Sequence, residues 1–562
     1  MDMLFVNAKN PAFWQEVKTG SHYETWRDIL LKYYETYTGT AIEEISFEAF
    51  MEFHRTGKRV SFEKAFNLRR TRMSVSAFLS LIYPEREEYL TDLQNTLWAI
   101  CGEYCWALPN HTPDSAFRYN NNHIDICAAI LGAELSQIRY LLAERLEPVL
   151  LDRIQKEVDK RIIRSYLENT FDWEKKSNNW AAVCAGNVAI VFIFERPDLF
   201  EAIKPRIDKT MECFLSGFKA DGVCREGLGY WEYGFGHFVN YAEHLFAFTN
   251  GREDLFQNEL VKKVAVFPET AYLGQGAIVS FADCDKSVRI SKGIMGILQK
   301  HYGENILDLQ ESDLRGYLDL FGKGILSFEY YRAGSGKLRP MKEKEYYLPD
   351  SQIFVKKGSK YSFAAKGGDN QEPHNHNDVG TFIVSNGEGQ LIADIGSGEY
   401  TKDYFINTMD KRYQILCNRS GGHSVPIING IEQSYGAEYH GSMHYEKGKL
   451  ELELSGAYPI KELTSLKRCF IFEPNRICLK DCFELETPGY IQERFVTMIC
   501  PEEGKGYIKI GSLYMKYDDS IWSASITQET HISHSLKEQS VYLIDFVSIL
   551  PEMKEFEMEM VF

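Results

Sequence analysis

Nowhere in the 562-residue chain do about 18 apolar residues run uninterrupted, so nothing in it reads as a membrane-spanning helix. The first residues, Met1-Asp2-Met3-Leu4-Phe5-Val6, lack the basic start and apolar core of a secretory signal, which gives the expectation of a cytoplasmic protein. Positive charge is scarce: the formal net charge is −17. That excludes a broad nucleic-acid or anionic-membrane surface, since both depend on clustered Lys and Arg. A small acidic ligand stays compatible, because groups within a Debye length of about 8–10 Å set the field inside a cleft. The 12 cysteines form no CxxC pair, so a disulfide framework is not expected and the thiols read as reduced and mostly buried. Cys101 with Cys105, and Cys478 with Cys482, read as structural. No strict internal repeat is found.

What is present is enough to build more than one core. A chain this long predicts two large domains, or three, and apolar residues at 44% can fill them. Aromatic residues reach 14%, with 33 Tyr and 35 Phe. Most belong to cores, and the remainder suit a cleft that stacks sugar rings.

From Trp14 to about Phe328 apolar residues recur at three and four, with few Pro or Gly inside segments. Leu131, Leu135, Ile138, Leu142 and Leu146 make one such face, which Pro148 interrupts; Ile154, Val158 and Ile162 continue the pattern. Helices of this length on short loops make antiparallel pairs, and pairs in succession predict an (α/α) toroid over residues 1–330. Residues 331–349 read as a linker. Beyond it the period changes to two in Gln352–Lys356, Tyr361–Ala365, Lys449–Leu454 and Arg476–Leu479, which predicts antiparallel β layers, a sandwich, over 350–562.

Three polar interruptions break the helical half. Trp106 and His111 lie in the first, which continues into Asn120-Asn121-Asn122-His123; a loop with a helix cap explains it as well as substrate contact does. The second is Ser177-Asn178-Asn179-Trp180 before an apolar helix, where side-chain amides and backbone donors could hold a carboxylate. The third, Asp221 to His237, is a glycine-rich loop that presents Tyr230 and Tyr233 beside Arg225 and Glu226.

The densest chemistry lies in Glu372-Pro373-His374-Asn375-His376-Asn377-Asp378-Val379-Gly380. Two imidazoles, two carboxamides and a carboxylate on five consecutive residues must meet polar partners, because burying them alone is costly. On an extended backbone His374 and His376 project from one face. Two β-rich runs about a Gly-containing turn then return Asp394 toward them, and His423 follows in Arg419-Ser420-Gly421-Gly422-His423. His376, Asp394 and His423 make an N,O,N set suited to zinc. A polar turn between strands is the plainer alternative.

Several of these motifs occur together in one known family. Asn178-Asn179-Trp180, Glu226-Gly227-Leu228-Gly229-Tyr230-Trp231, the stretch from His374 to Asp394, Arg419 to His423, and Asn429-Gly430-Ile431-Glu432-Gln433 resemble the heparinase II/III-like polysaccharide lyases. The resemblance implies an (α/α) toroid followed by an antiparallel β-sandwich, and β-elimination on uronic-acid glycans. It implies that Asn179, with Asn178, neutralises the uronate carboxylate, and that Tyr230 and His374 serve as acid and base. His374 and Arg225 are the groups expected to lower the tyrosine pKa. By the same resemblance His376, Asp394 and His423 hold a structural Zn2+, and Trp106, His111, Asn178, Trp180, Arg225, Glu226, Tyr233 and Arg419 contact substrate. Asn179-Trp180 departs from the Asn-His of several alginate-cleaving relatives, which leans toward glycosaminoglycan-type substrates. The expected partner is an acidic oligosaccharide or polysaccharide, with no nucleic acid and no membrane; a homodimer is left open.

Two rivals stand beside this. A glycoside hydrolase would use paired carboxylates, for which Asp221 and Glu226 are available. A carbohydrate-binding protein that keeps the fold without turnover is the other.

Overall fold

The computed structural model describes residues 4–112, 122–286, 290–303, 320–330, 343–487, 489–548 and 554–562. Asn120, Asn121 and residues 331–342 of the expected linker lie outside them. The chain packs as two units. One comprises Met1–Gly217, Glu232–Lys262 and Arg289–Leu338; the other comprises Phe218–Trp231, Lys263–Val288 and Arg339–Phe562. Packing therefore divides the chain differently from a single cut at 331–349, because two segments of the expected helical half belong with the sheets. One of them contains the short paired strands Tyr272–Gly274 and Ala277–Ile278, inside the stretch whose pattern was read as helical.

The helical unit is built on Asn179–Glu195, a helix buried on all sides from Ala181 to Ile193. A helix that is apolar all round must lie inside its domain. It packs against Ile126–Leu141, Pro197–Leu215 and Gly236–Phe248; Gly236–Phe248 packs on Lys292–Tyr302, and that helix on Phe321–Tyr330. Phe321–Tyr330 returns to touch both Val60–Ile82 and Ile126–Leu141, which closes the ring of helices. The face predicted from Leu131 to Leu146 ends as a helix at Leu141, and a new helix begins with Pro148 at its first position, where a missing N–H costs nothing. No helix among the described residues is long and apolar enough to cross a membrane.

The second unit is antiparallel throughout its named strand pairs. Among the described residues its strands form, besides the short pair above, sheets of nine, five and four strands. Phe363, Phe382, Phe470, Phe495 and Phe556 lie fully buried in the core that they share. The predicted strands appear as Ile353–Lys357, Ser362–Lys366, Lys449–Glu453 and Arg476–Leu485. Phe382–Asn386 and Gly389–Ile392 pair as a hairpin, which is what carries Asp394 back toward the histidines. All twelve cysteines are free thiols.

Candidate functional site

The site in the β unit is assembled on a carboxylate that the sequence did not single out. Asp283 is fully buried, and its two oxygens meet His374 Nδ1 at 2.7 Å and His376 Nε2 at 2.9 Å. Tyr404 and Tyr400 donate their hydroxyls to it, and Arg412 reaches both oxygens at 3.3 and 3.4 Å. Burial alone would raise this carboxyl; the bonds from His374 and His376 and the charge of Arg412 outweigh it and hold Asp283 well below the usual range. The one sequence signal for it is an acid directly after an apolar run, Ile278-Val279-Ser280-Phe281-Ala282-Asp283.

Tyr230 lies against His374. Their rings stack with centroids 4.4 Å apart, and the phenol oxygen is 3.4 Å from Nδ1 and 3.0 Å from the Tyr400 hydroxyl. A carboxylate only accepts, so the Tyr400 hydroxyl donates to Asp283 and receives from Tyr230. Burial raises the Tyr230 pKa and the Asp283 charge raises it further. The expected lowering by Arg225 does not occur, because Arg225 is bound at 2.6 Å to Glu372. Glu226 faces His374 Nε2 at 3.5 Å, and burial raises its carboxyl.

The loop is not extended as expected. His374 has a φ of 54°, in the left-handed region that a residue with a Cβ seldom adopts, and no strand runs through 371–380. Such strain persists only where surrounding bonds overdetermine it. Here Arg412 clamps the carbonyl of Asn375 at 3.1 Å while holding Asp283, so both imidazoles reach one carboxylate without a strand to align them.

His376, Asp394 and His423 are brought together, each buried, with candidate ligand atoms all within 4.8 Å of one another. His376 Nδ1 has no hydrogen-bond partner, and Asp394 Oδ2 and His423 Nδ1 have only each other, as an ion pair at 3.3 Å, although burying polar atoms unpaired is expensive. Each ring's other nitrogen is taken: His376 Nε2 by Asp283, and His423 Nε2 by the Cys417 carbonyl at 2.8 Å. Burial pushes His376 below the ordinary histidine value, whereas for His423 the Asp394 carboxylate outweighs burial and raises it. Two imidazole nitrogens and a carboxylate oxygen converging in a buried site, each ring's other nitrogen anchored behind, fit a divalent cation of zinc type.

Other expected residues divide sharply. Asp221 accepts from the Ser351 backbone at 2.7 Å and its hydroxyl at 2.6 Å, so it is a loop anchor and not half of an acid pair with Glu226. Trp106 is a core residue: it is 1% exposed, donates to the Ile100 carbonyl and lies under Arg161. A ring so enclosed cannot stack a sugar. Arg419 pairs with Glu432 and keeps an exposed side chain.

In the helical unit, Asn178 caps the helix that starts at Asn179 by accepting from the Trp180 amide. Asn179 is half-buried, and no described residue hydrogen-bonds its carboxamide. Trp180 meets the edge of His111, which is itself held by Asp125 at 2.9 Å. Tyr233 sits in the same unit, its ring against His237 and 5.7 Å from Lys323 Nζ.

No protein-family model matches the sequence, and no curated protein matches it. Solved structures do match in fold. Heparinase III superposes with a TM-score of 0.62 at 13% identity, covering 98% of this chain and 91% of that one. A heparan sulfate lyase HepC mutant from Pedobacter heparinus gives 0.59 at 13%, covering 98% and 90%. The chondroitin AC lyase of Streptomyces coelicolor A3, in complex with chondroitin sulphate, gives 0.51 at 10%, covering 96% and 82%. The chain thus has the heparinase-like polysaccharide lyase fold, an (α/α) toroid followed by antiparallel β-sandwich sheets.

Proposed function

We propose that this protein is a lyase that cleaves uronic-acid-containing glycans by β-elimination, glycosaminoglycan-like chains being favoured. The observation that carries this is Tyr230 stacked on His374, phenol oxygen and Nδ1 3.4 Å apart, with His374 bonded directly to the buried Asp283 and Tyr230 linked to it through Tyr400.

Elimination needs a proton taken from C5, a proton given to the departing O4, and neutralisation of the uronate carboxylate. In this reading Tyr230 is the acid: its raised pKa keeps the phenol protonated, and its proton already points toward a hydroxyl acceptor, Tyr400. His374 is the base through Nε2, since Nδ1 is committed to Asp283. Asn179, at a helix start and with no hydrogen-bond partner for its carboxamide among the described residues, is the group proposed for the carboxylate. His376, Asp394 and His423 would hold zinc, which when bound would supply structural order to the loops that carry His374 and Asp394 and no nucleophile. The loss of Asp221 to Ser351 weighs against the hydrolase reading.

The test is ultraviolet absorbance of purified protein with heparan, chondroitin, hyaluronan and alginate oligosaccharides, reading the conjugated double bond of an unsaturated uronate. Wild type should generate the signal on at least one glycan. Tyr230→Phe and His374→Ala should each lose about 10²–10⁴-fold in kcat with the melting temperature nearly kept. Saturated fragments, or bound intact sugar with no absorbance, would refute the assignment.

A further inference from the structure

Asp283 does something that none of the expected catalytic or metal residues does: it bonds a ring nitrogen of each histidine in the His374-Asn375-His376 loop. An ionised carboxylate only accepts, so both rings must donate. His374 therefore carries its proton on Nδ1 and presents Nε2 bare toward the Glu226 side, 3.5 Å away. His376 carries its proton on Nε2 and presents Nδ1 bare toward Asp394 and His423, where that atom has no other partner.

The carboxylate is itself fixed from behind. Arg412 reaches both of its oxygens, the Tyr404 carbonyl at 2.7 Å, and the carbonyl of Asn375, the residue between the two histidines. Ala282, the preceding residue, is held at a φ of 60°. These bonds leave little room for Asp283 to serve one histidine without the other.

We propose that Asp283 is a positioning residue that fixes the ring tautomers of His374 and His376 together, and so couples cation binding at His376, Asp394 and His423 to the reactivity of His374. The inference rests on the reading of His374 as a proton-transfer group and of the buried trio as a cation site. By linkage the coupling runs both ways for binding: a change at His374 must be felt at the cation site through the shared carboxylate.

The experiment is titration of chelator-treated full-length protein with zinc(II), and with cobalt(II) as a spectroscopic reporter. Asp283→Asn is isosteric but offers an amide N–H where one histidine needs an acceptor. It should weaken zinc binding about 10–100-fold, the range for such outer partners of a ligating histidine. Its kcat on whichever glycan the wild type cleaves should fall about 10²-fold or more, with KM changed only a few-fold. Nitrogen-15 spectra of histidine-labelled protein should show the His374 proton leaving Nδ1 in this variant. Tyr404→Phe removes a hydroxyl donor from Asp283 Oδ1, the oxygen that takes His376, but keeps both histidine bonds; it should not weaken zinc binding, and the His374 proton should stay on Nδ1.

Zinc affinity unchanged in a folded Asp283→Asn protein would overturn the proposal. Should that variant not fold, His374→Ala decides: with one donor gone, the carboxylate polarises His376 more strongly, and zinc should bind several-fold tighter. Unchanged affinity there would also overturn the coupling. If the wild type releases no unsaturated product from any uronate, the catalytic reading fails while the zinc and nitrogen-15 measurements still judge Asp283.

Discussion

Among the described residues two clusters of nearly the same make-up occur, one in each unit. His111, Asp125 and Cys127 bring ligand-type atoms within 4.8 Å of one another, and so do His376, Asp394 and His423. Proximity does not separate them; hydrogen-bond accounting does. Asp125 is spent. One oxygen accepts from the Ala128 amide at 2.7 Å as a helix cap, and the other from the Leu108 amide at 3.0 Å and His111 Nδ1 at 2.9 Å. In the β unit His376 Nδ1 is buried without a partner and Asp394 Oδ2 and His423 Nδ1 have only each other, at 3.3 Å, while the far sides of all three are anchored. A donor set that has satisfied itself is structure, and one left unsatisfied at such cost points to something that completes it.

That contrast breaks first if metal removal fails to separate the clusters. Chelation should lower the unfolding free energy by about 3–4 kcal/mol at zinc concentrations of 100 to 1,000 times Kd. One zinc per chain should restore it, as read by thermal melts and metal content. His376→Ala should abolish the zinc response; His111→Ala and Cys127→Ser should keep it. Zinc lost from the His111 variant would reverse the assignment.

A satisfied carboxylate should instead report through acid stability. Glu243, buried in the helical unit, accepts from Lys300, His301 at 2.9 Å and the Tyr330 hydroxyl. Burial would raise its pKa, but these bonds lower it from 4.5 to about 2. A depressed folded pKa gives stability that is fully present above the unfolded value and is lost as pH falls through the folded one. The contribution, on the order of 3 kcal/mol, should therefore decay between about pH 4.5 and 2. Urea melts of wild type and Glu243→Gln should converge across that window. A gap that stays constant down to pH 2 would contradict the cause assigned.

The smallest effect belongs to the self-satisfied cluster. Asp125→Ala removes the cap and strands the Leu108 amide, which should cost about 1–3 kcal/mol in a melt and leave zinc content untouched.

Much of this was legible beforehand where residues act on near neighbours. The change of period from helical to strand marks where helices give way to sheets, because each period places apolar side chains on one buried face. The hairpin from Phe382 to Ile392 was readable from β-rich runs about a turn, and with it the approach of Asp394 to His376. Other expectations failed for reasons local pattern cannot carry. Trp106 looked like a cleft residue in a polar loop, but its ring is enclosed under Arg161. Arg225 looked available to Tyr230, yet Glu372, distant in sequence, holds it.

The sequence by itself determined the element types and the order of helical and sheet-forming regions, and it singled out the histidines, asparagines and tyrosine proposed to carry chemistry, since these follow from side-chain type and spacing. Only the tertiary structure decided which carboxylate those histidines share. Asp283 is 91 residues from His374 and 93 from His376, so no spacing rule links them; it is found when a buried charge must be matched to whatever donors the fold brings within 3 Å.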